Sequence, residues 1–223
     1  MKDFINAKFS TLSYIFTALL VCFFLVVFRI KTTHEFFGLF LIWNLFLAFI
    51  PLGIAWWISN CKPLAQNAFY KGFFTFLWLL FLPNAPYVLT DFVHLERKSD
   101  LQFIYDFTLL TFFSLFSLYM GLLSLVVMHE FWKPKLKKKV LQILPFLIFT
   151  LCGYGIYLGR ILRFNSWDLF TRPLTLFKEV AYFIKHPFEN WPILAISLFL
   201  GLMLTVMYNL LKPFLINAND TQP

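Results

Sequence analysis

The stretch GFFTFLWLLFLPNAPYVLTDFVHL, residues 72–95, changes character at its middle. Its first half has the composition of a membrane helix, with a single threonine among apolar residues. Its second half brings two prolines together with an asparagine, an aspartate and a histidine. An apolar run that leads directly into titratable groups is typical of a membrane helix that meets a protein-lined or aqueous space. The stretch therefore predicts a membrane protein whose polar groups gather where this helix is interrupted.

The composition of the whole chain supports that class. Of 223 residues, 60% are hydrophobic, 22% are aromatic and 13% are charged, whereas a soluble domain is about one-quarter charged. The net charge of +8 is carried by short basic segments between apolar runs, which favours anionic membrane lipids over nucleic acid as the partner. The three cysteines are far apart and form no CxxC pair, so neither a zinc ribbon nor a disulfide framework is indicated. We expect no metal site and no cofactor.

Six stretches are long enough to cross a bilayer, which requires about 20 apolar residues per helix. No soluble domain fits between them, so residues 1–223 are expected to form one all-α, polytopic membrane domain. Residues 173–185 carry polar side chains on one helical face and are expected to form an amphipathic helix in the interface, either covering a cavity or anchoring a loop. The predicted spans are residues 11–28, 36–59, 64–82, 107–128, 140–159 and 191–211.

The charges suggest an orientation. Six spans place both termini on one side, and the lysine-rich loop KPKLKKK, residues 133–139, predicts that this side is cytoplasmic. Most acidic residues fall on the opposite, outer side. We therefore expect a multi-pass protein of the plasma membrane with both termini in the cytoplasm.

The two prolines allow two interpretations of the third span. If the helix begins near Lys71, it breaks at mid-depth, and the NAPY backbone is non-helical and lines a cavity. If it begins at Pro63, it reaches the far interface and simply ends at Pro83. In both cases the amide of Asn84 is expected to bond to backbone groups that the prolines leave free.

Asp91 and His94 stand three residues apart and would share a helical face. They are candidates for a catalytic acid and base. They could also be two ligands of a metal ion, whose remaining ligands would have to come from elsewhere in the chain. An ordinary helix N-cap at Thr90 or Asp91 is the favoured alternative to metal ligation, because no recognised zinc spacing is present.

A second polar cluster, GRILRFNSWD at residues 159–168, follows the fifth span. Arg160 and Arg163 are also three residues apart and are expected to project from one helix end, where they can pair with Asp91 or Asp168 or bind a ligand phosphate or carboxylate. The alternative is that they stabilise the helix terminus or contact lipid phosphate. Small residues in the fourth and fifth spans predict close helix contacts: Thr111, Ser114, Ser117, Gly121 and Ser124 in the fourth, and Gly155 and Gly159 in the fifth.

Together, LPNAPYVLTDFVHL and GRILRFNSWD resemble the paired signature of an uncharacterised bacterial membrane protein family, domain of unknown function 1361. The resemblance covers most of the chain and implies a multi-span protein, but it brings no established activity. It implies these signature positions: Pro83, Asn84, Pro86, Tyr87, Thr90, Asp91, His94, Arg163, Asn165, Ser166, Trp167 and Asp168.

Three functions remain open at this point. The favoured one is binding or transport of an anionic or lipid-like ligand in an outer polar pocket. The second is an enzyme that acts on a lipid or phosphate substrate with Asp91 and His94, and the third is an accessory membrane subunit. The residues expected to form the pocket are Asn84, Tyr87, Thr90, Asp91, His94, Arg160, Arg163, Asn165, Ser166, Trp167 and Asp168.

Overall fold

The fold is known from a computed structural model that describes residues 2–36, 38–61 and 67–220. Within these ranges all the regular secondary structure is helical, and no strand is present. The helices are α1 (Lys2–Thr33), α2 (Leu39–Asn60), α3 (Ala68–Phe81), α4 (Asn84–Tyr87), a 3-10 helix (Val88–His94), α5 (Asp100–Trp132), α6 (Lys138–Arg160), α7 (Asp168–Thr171), α8 (Pro173–Lys185) and α9 (Trp191–Asp220).

Six of these segments are long and apolar enough to cross a membrane, which confirms the predicted bundle. Their apolar ranges are Ser13–Thr33, Leu39–Asn60, Ala68–His94, Asp100–Trp132, Lys138–Arg160 and Trp191–Phe214. The third span includes α3, α4 and the 3-10 helix. Its predicted beginning at residue 64, and the alternative beginning at Pro63, lie outside the described residues.

Helix α5 occupies the centre of the bundle. It is the most buried of the six spans, with 67% of its apolar window inside the protein. Helix α2 packs along it, as do α4 and the 3-10 helix, while α6 pairs mainly with α9. The interrupted part of the third span, α4 and the 3-10 helix, therefore packs against protein on more than one side.

Of the two interpretations of the third span, the one with a non-helical NAPY segment is wrong. Leu82 (φ −56°, ψ −37°) and Pro83 (φ −57°, ψ −23°) both keep helical backbone angles, and α4 follows directly. Proline tolerates these angles; what it removes is a hydrogen-bond donor. The chain adapts by tightening, so that the amide of Ala85 donates to the carbonyl of Leu82 at 3.0 Å, and the segment continues as a 3-10 helix.

Side chains bond to the carbonyl groups that this tightening leaves free. The Asn84 amide donates to the carbonyl of Phe81 at 2.8 Å, which confirms its predicted role. The Ser166 hydroxyl donates to the carbonyl of Leu80 at 3.3 Å. A freed carbonyl inside a membrane protein lacks water as a partner, so these two side chains stabilise the interruption.

The small residues of α5 and α6 face the same interruption. Ser117 donates to the carbonyl of Ala85 at 2.7 Å. A Cβ atom placed on Gly121 would lie 2.5 Å from the Cβ of Ala85, and one on Gly155 would lie 2.7 Å from the Cγ of Pro83. The predicted close helix contacts are confirmed at these positions, and their partner is the proline-containing segment.

The predicted amphipathic helix is present as α8 with the expected bounds, Pro173–Lys185, and a proline in its first turn. None of its side chains is buried. It contacts the bundle through Phe183, whose ring centroid lies 4.3 Å from that of Tyr154 on α6. This contact places α8 beside the end of α6 that carries the second polar cluster.

Candidate functional site

Arg160, the last residue of α6, connects the two polar clusters. Its Nε and Nη2 atoms donate to Oγ1 of Thr90 at 2.9 and 2.6 Å, and Nη2 also bonds to Oδ1 of Asp91. Its Nη1 lies 3.0 Å from Nε2 of His94. The guanidinium also lies 4.6 Å from the ring centroid of Tyr87. One arginine thus contacts four of the predicted site residues.

Asp91 is 1% exposed, and both of its carboxylate oxygens are occupied. Oδ1 accepts from Arg160, and Oδ2 accepts from Nδ2 of Asn44 on α2 at 2.8 Å. Among the described residues no hydrogen bond joins Asp91 to His94, because Arg160 lies between them. Asp91 therefore holds the guanidinium of Arg160 in place, and it does not orient the imidazole of His94.

The N-cap interpretation of Thr90 and Asp91 is wrong. Both residues lie inside the 3-10 helix, whose N-terminus has no side-chain cap. The Thr90 hydroxyl donates backwards to the carbonyl of Tyr87 at 2.6 Å, while its oxygen accepts from Arg160. The sequence TD looked like a helix start only because the prolines suggested that the preceding helix had ended.

A cavity of about 820 Å³, which we call the polar cavity, opens beside this network. It contains a second buried ion pair that the sequence analysis missed: Arg29 donates to Asp106 through Nε at 2.6 Å and Nη2 at 2.9 Å. The sequence did contain an indication of this pair, because an arginine inside a membrane span requires a partner. At the mouth, Lys98 contacts Glu35 at 2.7 Å and holds the pKa of that carboxyl below its usual range.

The charges of the polar cavity nearly balance. Three cationic side chains line it, and four carboxylates oppose them. The cations are Arg29, Lys98 and Arg160, and the carboxylates are Glu35, Asp91, Glu96 and Asp106. An anionic ligand would gain little here, because each cation already contacts a carboxylate.

Asp168 organises the loop that carries the second cluster. It is 3% exposed and accepts from the backbone amide of Asn165 at 2.8 Å, from Thr171 at 2.6 Å and from Arg172 at 2.7 Å. The Arg172 guanidinium holds the pKa of the Asp168 carboxyl well below its usual range. The resulting stabilisation is present above the ordinary pKa of aspartate and is lost only as the pH falls through the lower, folded-state value.

A second cavity, of about 620 Å³, lies on the other side of Tyr87 and Asn44, which line both spaces. We call it the apolar cavity, because α2, α3, α6 and α8 give it mainly apolar walls. Those walls include Trp43, Leu79, Leu80, Tyr154, Leu158, Leu176 and Val180. Its polar members are Asn44, Asn84, Arg163, Asn165 and Ser166.

Arg163 does not share a face with Arg160, contrary to the prediction from their spacing. Helix α6 ends at Arg160, and Arg163 adopts a left-handed backbone conformation with φ +57°. Its side chain is exposed, lines the apolar cavity, and makes no hydrogen bond or ion pair within the described parts of the chain. The other four arginines each contact an aspartate: Arg29 with Asp106, Arg97 with Asp100, Arg160 with Asp91, and Arg172 with Asp168.

The predicted convergence of the two clusters is confirmed. Nδ2 of Asn84 lies 3.1 Å from Oγ of Ser166, and Arg160 contacts Thr90 and Asp91. Trp167 lies outside both cavity linings and packs edge-on against Trp43, with ring centroids 6.3 Å apart. The sequence thus identified one polar neighbourhood, which the structure divides into two cavities.

Within the described ranges, no group of three or more His, Cys, Asp or Glu side chains is placed to hold a metal ion. Residues 43–207 match the family described as "Protein of unknown function (DUF1361)", and this match covers more than half of the chain. No curated protein and no solved structure matches the chain. The chain belongs to the DUF1361 family.

Proposed function

We propose that this member of the DUF1361 family binds an anionic amphiphile, a molecule with a negatively charged headgroup and an apolar tail, in the apolar cavity. The observation that carries the proposal is Arg163: a guanidinium at a cavity lined by apolar side chains, with no hydrogen bond or ion pair among the described residues. Its left-handed backbone strengthens the case, since such a conformation costs about 1–3 kcal/mol for a non-glycine residue and is often found at functional sites.

The headgroup would bind Arg163 rather than Arg160. The Arg160 guanidinium already contacts Thr90, Asp91 and His94 and has little capacity for a further anion. A free guanidinium can bind a carboxylate or phosphate through two parallel, charge-assisted hydrogen bonds. The exposed amide of Asn165 lines the same cavity and adds hydrogen-bonding capacity beside it.

The tail would occupy the space between the bundle and α8. Leu79 and Leu158 line it from the bundle, and Leu176 and Val180 line it from α8. A volume of about 620 Å³ lies within the range of about 300–1,000 Å³ that is usual for small-molecule sites. Helix α8 would then act as the cover of this cavity.

The geometry gives less support to an enzyme with Asp91 and His94 as acid and base. Asp91 is buried and holds two partners, so neither of its oxygens is free to accept a proton from a substrate. The ion pairs of the polar cavity are better explained as contacts that hold helices together.

The proposal is tested by photocrosslinking. The protein is reconstituted in phosphatidylcholine nanodiscs with phosphatidic acid that carries a diazirine on its acyl chain, and crosslinked peptides are mapped by mass spectrometry. Crosslinks are expected on cavity-lining residues of α6 and α8. Leu176→Trp should fill the cavity and remove them. Leu174→Trp is the matched control, because Leu174 lies on the same helix and is 76% exposed.

The headgroup contact is tested with Arg163→Ala, which should reduce crosslinking about tenfold, as expected for a lost hydrogen bond to a charged group. Arg97→Ala removes the same charge from a residue that lines neither cavity, and should leave crosslinking unchanged. Crosslinks that persist in both Arg163→Ala and Leu176→Trp would overturn the proposal. Equal labelling by a diazirine phosphatidylcholine would do the same.

A further inference from the structure

We propose a second anion site at the opposite end of the bundle, which binds a phosphate group. A cavity of about 770 Å³ lies there between the ends of α5, α6 and α9. Its polar lining includes His129, Glu130, Lys133, Lys138, Tyr208 and Lys212. We call this region the lysine face; it shares no residue with the polar or the apolar cavity.

A buried histidine forms the base of this site. His129 is 9% exposed, and its Nε2 lies 3.1 Å from Nζ of Lys212, while its Nδ1 lies 3.0 Å from the hydroxyl of Tyr208. A charged lysine can only donate, so Nε2 accepts and the ring proton is on Nδ1, which donates to the Tyr208 oxygen. The hydroxyl proton of Tyr208 and two protons of Lys212 then remain available as donors.

The lysine face carries uncompensated positive charge. Lys133 pairs with Glu130 at 3.0 Å. Lys138 and Lys212 form no ion pair with a carboxylate anywhere in the described ranges; Lys212 contacts only the neutral ring of His129 and the face of Tyr208. Half-buried Lys212 therefore has no carboxylate in direct contact, and Glu130, the one carboxylate that lines this cavity, is already paired with Lys133.

A phosphate group fits this set of donors. It supplies several acceptor oxygens and the negative charge that Lys138 and Lys212 lack, and lysine binds phosphate as a point charge. Leu136, Leu141 and Pro145 add an apolar wall to the same cavity. The phosphate can come from a lipid headgroup or from free phosphate in solution, and the experiment distinguishes these two sources.

The experiment uses full-length protein carrying Arg163→Ala, which removes the headgroup contact of the proposed function. Binding measured in this background then reports on the lysine face alone, so either proposal can fail without the other. Binding of phosphatidic acid is measured by native mass spectrometry after reconstitution in phosphatidylcholine nanodiscs. Lys212→Gln and Lys138→Gln are each expected to weaken binding about tenfold. Lys212→Arg should retain it.

Matched controls are Lys137→Gln and Lys139→Gln, which remove the same charge from exposed neighbours that do not line the cavity. They should weaken binding by less than about threefold, because their side chains lie outside the cavity and attract its ligand only over a longer distance, where salt screens the charge. Displacement of phosphatidic acid by millimolar inorganic phosphate would assign the site to free phosphate; persistence of the lipid would assign it to the headgroup.

Two results would overturn the proposal. Equal losses in all four glutamine variants would indicate only general attraction of the lysine-rich loop to anionic lipid, and unchanged binding in Lys138→Gln and Lys212→Gln would exclude the cavity. Lys138 is exposed, so Lys138→Gln is expected to fold. The test can therefore be decided with this variant even if Lys212→Gln is unstable. Tyr208→Phe removes the hydroxyl, which accepts from His129 and would donate to the phosphate, and should also weaken binding.

Discussion

The polar and apolar cavities share a wall at Tyr87 and Asn44, yet they differ in whether their cationic side chains are paired with carboxylates. In the polar cavity each cation contacts a carboxylate of the same chain. In the apolar cavity the single cation, Arg163, has no such contact among the described residues. Two arginines three residues apart thus differ in their contacts: Arg160 bonds to Thr90 and Asp91 of the third span, whereas Arg163 is the residue that we propose binds a ligand.

The largest effect should come from breaking the network of the polar cavity. Asp91→Ala leaves Arg160 and Asn44 without their shared partner and should lower the free energy of unfolding by about 3–5 kcal/mol, as for other broken buried ion pairs. The check is the apparent melting temperature in detergent, with Asp100→Ala at the exposed Arg97 pair as a control that should change little. A folded, equally stable Asp91→Ala protein would mean that the ion pair is not structural.

A smaller effect is expected where the two clusters meet. Asn84→Leu removes the donor to Phe81 and the contact with Ser166, and the unsatisfied carbonyl should cost about 1–3 kcal/mol. Asn165→Leu is the matched control, because its side-chain amide makes no hydrogen bond within the described residues. Equal melting temperatures for the two variants would contradict the role assigned to Asn84.

The smallest effect, and the one of opposite sign, belongs to Arg163. Glycine adopts a left-handed backbone without strain, so Arg163→Gly should raise the free energy of unfolding by about 1 kcal/mol. The same variant should lose crosslinking to phosphatidic acid. Stability and binding would then move in opposite directions, as expected of a residue kept for a ligand. A destabilised Arg163→Gly protein would instead identify Arg163 as a structural residue.

Hydrophobicity and helical periodicity were sufficient to predict much of the fold. Six apolar runs predicted six spans. A polar face opposite an apolar face, between two prolines, predicted the amphipathic helix α8 with its observed ends. These properties are local, so one sequence reveals them. The backbone at NAPY was not predicted correctly, because Pro83 lacks a hydrogen-bond donor but still adopts helical angles. One of the two replacement donors, Ser166, also comes from a distant loop.

The site was predicted as a neighbourhood but not as a set of contacts. Spacing placed Arg160 and Arg163 on one face only on the assumption that α6 continues, and it ends at Arg160. The partner of Arg29 lies 77 residues away in the sequence, at Asp106, and no local pattern joins them. Which arginine is paired depends on tertiary structure, and this is the property on which the proposed function rests.

The 3-10 geometry of Val88–His94 has a mechanical consequence. With three residues per turn, Asp91 and His94 stand in one row, which is why a single guanidinium reaches both; α-helical winding would turn them about 60° apart. It would also shorten these seven residues by about 3.5 Å, since each residue would rise 1.5 rather than about 2.0 Å. Arg160 bonds to Thr90 and Asp91 and lies beside His94 in this geometry, so its contacts favour the 3-10 form of the segment over the shorter α-helical one.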